Sequence, residues 1–130
     1  MSEQFGHRKV YQLGEVVGSV KKMFEQHFAN KKYWIRAEIS SINFHRSGHA
    51  YIEFAEQTKD DKTIAKVKGT IWKSQLQIIR SELGKEFDNI LKSGMKILFF
   101  AEITFHKVFG LALNVSSIDL RFNLAEIKKC

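Results

Sequence analysis

The 130-residue chain has no proline and a single cysteine, Cys130, which is its last residue. The missing proline carries no functional conclusion. One cysteine cannot form an intrachain disulfide, which favours a reducing compartment, so the cytoplasm is the expected location. Long apolar runs are missing as well. No stretch approaches the ~18 apolar residues of a membrane helix, so no membrane partner is expected. The opening residues, MSEQFGHRKVYQ, are polar and lack the apolar centre of a signal peptide. There is no HExxH, no CxxC and no GxxxxGK[ST] phosphate loop, so neither a metal nor a cofactor is expected. The acids do not converge. Asp60 and Asp61 adjoin within EQTKDDKT, a polar turn where such pairs are normally solvated. His45 and His49 are four residues apart, but across a loop into a strand. A hydrolase needs groups that meet, so this chain alone is expected to be non-catalytic.

What the chain has is apolar mass and positive charge. It is 44% hydrophobic with 11 Phe, and a single domain of this length buries roughly two-thirds of its unfolded surface. Twenty-one basic residues against 14 acidic ones leave a net charge of +7, with a pI near 9.6. That balance points to a polyanionic partner.

Periodicity divides the chain. Leu13, Val16, Val17, Val20, Phe24 and Phe28 recur at three- and four-residue spacing, which predicts an amphipathic helix over 13–28 that packs on the domain. From Tyr33 the period becomes two. In YWIRAEIS, Ile35, Ala37 and Ile39 face one side, and Trp34, Arg36 and Glu38 the other. NFHRSG reads as a loop, His49 to Glu56 as a second strand, and Ile64 to Lys73 as a third. Ser74 to Ser93 returns to helical spacing, with Gly84 as a break and Gly94 as a stop. MKILFFAEITFH and GLALNVSSIDLRF supply a fourth and a fifth strand, joined by a short basic turn at residues 106–110. NLAEIKKC reads as the first turn of a further helix. The fold expected is mainly β with flanking helices: a five-stranded Greek-key OB-fold barrel, an N-terminal helix, and a helix between strands three and four. The domain division expected is an extension and helix over 1–30, the barrel over 31–123, and the start of a helix over 124–130.

On this fold the face of strands two and three, with the loops joining strands one to two and four to five, commonly binds oligonucleotides. Here the first loop carries His45, Arg46 and His49; the strand face carries Tyr51, Lys66, Lys68 and Trp72, with Lys73 at its end; the last loop carries His106, Lys107 and Phe109. Cations that follow phosphates and rings that stack on bases hold single strands without sequence choice. Each residue also has a structural reading. The lysines can be a solvated face, Trp72 can close a barrel end, and Phe109 can pack on a neighbour. His49 can bridge loop to barrel, with Tyr51 packed under the N-terminal helix.

The ordered set VYQLGEVVGSVKKMFE, WIRAEIS, SGHAYIEF and AKVKGTIWKS resembles the N-terminal OB-fold domain of the large subunit of bacterial exodeoxyribonuclease VII. Trp34, Glu38, Ile39 and Ser40 match that family's first-strand motif, and Ser47, Gly48, His49 and Tyr51 its second. Val67, Lys68, Trp72 and Lys73 fit the third with conservative changes. Ala37 stands where the family has glycine, Ala50 where it has an aromatic, and FHKVFG departs from its usual last loop. The resemblance implies a DNA-binding module, and the contacts expected on its fold are Arg36, His45, Arg46, His49, Tyr51, Lys66, Lys68, Trp72, Lys73, His106, Lys107 and Phe109. It implies a parent enzyme that cuts single-stranded DNA to short oligonucleotides, assembles with small subunits, and carries its nuclease site in a domain beyond these residues. The alternatives are a stand-alone OB-fold protein that binds single-stranded DNA or RNA, and a domain that binds no nucleic acid.

Overall fold

The computed structural model describes residues 3–122. The polar opening residues form a small hairpin that the sequence did not foreshadow, β1 (Glu3–Phe5) with β2 (Arg8–Val10). Helix α1 covers Leu13–Phe28, the span its periodicity predicts. A capping box starts it: the Gln12 backbone N–H donates to the Glu15 carboxylate, while Gln12 receives the backbone of the first turn.

Five strands then close into a barrel: β3 (Lys32–Phe44), β4 (Ala50–Gln57), β5 (Thr63–Ile71), β6 (Lys96–His106) and β7 (Gly110–Ile118). The order around it is β3-β4-β5-β7-β6, and β5 runs parallel to β7 through Lys68↔Ala112 and Thr70↔Asn114. The expected five-stranded barrel with an N-terminal helix and a helix between its third and fourth strands is the one observed. Alternation sets its inside. Ile39, Ala50, Ile52, Phe54, Ile71, Ile97, Phe99, Ala101, Leu113 and Val115 are buried in one core. Phe54 stacks on Phe99 with ring centroids 4.4 Å apart. Gly69 makes room for that pair, since a Cβ there would come within 2.5 Å of Phe54 Cε2.

Several boundaries differ from the sequence reading. The third barrel strand ends at Ile71, with Trp72 capping and Lys73 opening the helix that follows, and the fifth ends at Ile118, with residues 120–122 helical. The first barrel strand runs on to Phe44, through residues assigned to a loop. Its phase slips on the way: Ile39 pairs with Phe54, but the next pair is Ser41 with Glu53, so Ser40 bulges. The Ile39 N–H donates to the Met95 carbonyl, and its own carbonyl accepts from the Gly94 N–H, both at 2.8 Å. The bulge puts Ile42 on the core side, with the half-exposed Phe44 against Phe87, and leaves Ser41 and Asn43 outside. The helix expected over 74–93 is divided. It consists of α2 (Lys73–Leu83), a 3-10 turn (Gly84–Glu86) and α3 (Phe87–Ile90), with the break at Gly84. Leu76, Ile79 and Leu83 of α2, with Phe87 and Ile90 of α3, are buried in the same core. The helix expected to open within 123–130, and Cys130 with it, lies outside the described residues.

Candidate nucleic-acid interface

The outward faces of β3, β4 and β5 floor a groove of about 970 Å³. Register dictates its floor. Asn43, Tyr51, Thr70 and Asn114 are successive cross-strand partners, and Ser41, Glu53, Lys68 and Ala112 form the next row. The tip of the β6–β7 hairpin closes one side through Val108 and Phe109, which are 78% and 80% exposed. Trp72 closes the other. It is half exposed, and its indole N–H donates to the Asn114 side-chain oxygen at 3.2 Å, which fixes the ring plane. Tyr51, Trp72 and Phe109 thus present three accessible rings around one channel, with Lys68 also in its lining.

The glycine-histidine turn ahead of β4 holds this wall together. Gly48 has φ +98, a conformation open to glycine and strained for other residues. It also brings the chain under Lys73, whose Cγ would lie 2.8 Å from a Cβ at that position. His49 follows, and its Nδ1 accepts the backbone N–H of Lys73, the first residue of α2, at 2.8 Å. With Nδ1 as acceptor, the proton of the neutral ring sits on Nε2. The ring stands edge-on to Trp72 at 4.9 Å and to Tyr51 at 6.3 Å. His49 therefore bridges the loop to the helix and braces two groove aromatics at once. Tyr51 lies in the groove and not under α1, whose main contacts are with β6.

The remaining expected contacts are spread around this centre. His45 sits 5.9 Å from the Tyr51 ring, and its Nδ1 accepts the Ser47 N–H at 3.1 Å. Arg46 is exposed in the same loop. Lys66 pairs with Glu53 at 3.3 Å, so a phosphate would compete with a carboxylate for it. The His106 Nδ1 accepts the N–H groups of Val108 and Phe109 at 3.0 and 3.3 Å, which shapes the hairpin tip. Lys107 turns its side chain back toward Gly18 of α1, away from the groove. Arg36 is on another flank, where its guanidinium lies 5.1 Å from the Phe122 ring. Sequence reasoning missed Ser41, Asn43, Glu53, Thr70, Val108 and Asn114. Alternation from Tyr51 and Lys68 marks Glu53 and Thr70. Nothing in the sequence marks the bulge that brings out Ser41 and Asn43.

Among the described residues no cluster of three His, Cys, Asp or Glu side chains could hold a metal ion, and no helix is long and apolar enough to cross a membrane. The groove can stack rings and neutralise charge.

A closed barrel in this strand order, with a ring-lined groove over its second and third strands, defines the OB-fold class of nucleic-acid-binding domains. The chain belongs to the family described as the OB-fold nucleic acid binding domain, whose model matches residues 11–119. It is similar to the exodeoxyribonuclease 7 large subunit of Deinococcus radiodurans, 26% identical over 98 residues, covering 72% of this chain and 23% of the relative. It is 30% identical over 100 residues to the exodeoxyribonuclease 7 large subunit of Clostridium perfringens (strain SM101), covering 76% of this chain and 22% of the relative. The chain thus spans under a quarter of the length of these relatives. A crystal structure of a mitochondrial single-stranded DNA binding protein from S. cerevisiae aligns with a TM-score of 0.47 at 18% identity, covering 68% of this chain and 91% of that one. The resemblance drawn from the WIRAEIS and SGHAYIEF motifs is borne out by these relatives.

Proposed function

We propose that this domain binds single-stranded DNA in the groove over β3–β5, as the DNA-binding module of an exodeoxyribonuclease VII large subunit. The observation that carries the reading is the set of three exposed rings, Tyr51, Trp72 and Phe109, lining one channel with Lys68. Stacked rings hold unpaired bases, which duplex DNA keeps inside its own stack, so the channel favours single strands. The similarity to large subunits of that enzyme supports the wider assignment. In that assignment the domain delivers single-stranded DNA to a nuclease domain outside this chain, within a bacterial cytoplasmic enzyme that also contains small subunits. Arg46 and Lys73 supply charge along the wall beside Tyr51, His45 stands edge-on to the Tyr51 ring, and His106 acts by shaping the tip that carries Phe109.

Fluorescence anisotropy of a labelled oligo-dT of ~20 nucleotides, longer than the ~4–16 nucleotides one OB fold covers, tests the reading. The logarithm of the association constant is expected to fall linearly with log salt, with a slope of about −0.7 per phosphate contact, and duplex DNA to bind more weakly. Tyr51→Ala is expected to weaken binding by ~1–3 kcal/mol, the usual worth of one stacked base. No binding at low salt, or duplex binding as tight as single-strand binding, would sink the proposal.

A further inference from the structure

Trp34 belongs to the WIRAEIS motif, yet the groove does not use it. It is 56% exposed on the outer face of β3, and its ring lies against that of its cross-strand partner Phe100, with centroids 4.9 Å apart. The Lys32 ammonium is 6.0 Å from the Phe100 ring. Arg36 follows two residues after Trp34 on the same face of the strand. A half-exposed tryptophan with a ring beside it and cations on either side is the composition of a stacking platform.

This platform is joined to the groove. A cleft of about 250 Å³ has Trp72 and Asn114 on one side and Lys32 and Glu102 on the other. Asn114, Glu102 and Lys32 are register partners across β7, β6 and β3. Two strand spacings therefore separate the groove's edge from Lys32, roughly 10 Å. Trp72 lines both the groove and the cleft. A strand that leaves the groove past Trp72 meets this cleft next, and beyond it Lys32, Trp34 and Phe100. Glu102 would turn phosphates away from the cleft's centre and toward Lys32.

We propose that the outer face of β3 and β6 is a second single-strand contact, with Trp34 and Phe100 as its stacking pair, that extends the DNA path beyond the groove. The proposal rests on the groove reading above and predicts a two-part footprint. A short strand fills the groove, and only a longer one reaches Trp34.

The chain has two tryptophans, so Trp72→Phe leaves Trp34 as the sole indole reporter while keeping a ring in the groove. Strands of ~6 and ~16 nucleotides bracket the first segment and the whole path. Trp34 emission in this variant is expected to be quenched by the longer strand and not by the shorter one. Trp34→Ala is expected to weaken the longer strand about tenfold, within the range for losing one stacked base, and to leave the shorter one unchanged. Binding of both strands with Trp34 emission unmoved at saturation would overturn the second contact, leave the groove standing, and give the patch to a protein partner. If neither strand binds the unaltered chain, the groove reading fails and this inference with it.

Discussion

Helices α1 and α2 both lie against the barrel, and both are amphipathic in sequence, but their attachments differ in kind. α2 places Leu76, Ile79 and Leu83 in the core, each 6% exposed or less, and its first N–H is held by His49. None of the 16 residues of α1 is buried. Its apolar stripe is split. Phe24 and Phe28 turn to the barrel and meet Phe105 and Tyr33 at 5.8 and 6.4 Å, while Leu13, Val16, Val20 and Met23 face outward, 48–79% exposed. Periodicity reports that a helix has an apolar face. It does not report how much of that face finds a partner, because that depends on the shape of the surface beneath. α2 puts three side chains into the barrel core; α1 meets the barrel through ring contacts with Phe105 and Tyr33 and buries none of its residues.

The comparison breaks or holds first at Ile79. Removing its side chain leaves a cavity where α2 meets the barrel, and Ile79→Ala is expected to cost ~2–5 kcal/mol in urea unfolding. A loss below ~1 kcal/mol would mean that α2 is held no better than a surface helix. The barrel wall under the groove is the next test. Gly69→Ala forces a Cβ against the Phe54 ring, which is itself locked on Phe99. Overpacking of this sort is expected to cost ~1–3 kcal/mol, seen as a lowered urea midpoint with an unchanged slope. A Gly69→Ala variant as stable as the original would show that the Phe54–Phe99 stack can shift freely.

These contrasts also mark what the sequence could tell. The barrel was legible because its strands alternate cleanly. Ala50, Ile52 and Phe54 face in and Tyr51 faces out, as period two requires. The outward placement of Tyr51 and Lys68 in the groove lining followed from the same parity. The bulge at Ser40 was not legible, because a one-residue slip leaves no mark in composition and reverses every face after it. Asn43, which alternation continued from Ile39 would turn inward, therefore lines the groove. His49 could be read as a groove residue or as a bridge, and only the backbone of Lys73 at 2.8 Å shows the bridging contact. Lys107 and Lys66 look like free cations in sequence; one folds back on α1 and the other is paired with Glu53. Long side chains go where neighbours distant in sequence allow.

The smallest expected effect is the most informative about α1. Its contact with the barrel is chiefly aromatic, Phe24 on Phe105, with Phe28 stacked beside Phe24 at 4.9 Å. Such pairs are worth about 0.5–1.5 kcal/mol beyond the area they cover. Phe24→Ala is therefore expected to cost more than that pair term alone, yet less than Ile79→Ala, and to raise amide exchange along α1 while exchange in β3–β5 stays as it was. Leu13→Ala, on the outward half of the same stripe, is expected to stay within ~0.5 kcal/mol of the original chain. If Phe24→Ala destabilised the whole barrel as much as Ile79→Ala, α1 would be a core element despite its exposure. If Leu13→Ala cost as much as Phe24→Ala, the outward face would have a partner in solution, and its apolar stripe would be an interface and not a surface left uncovered.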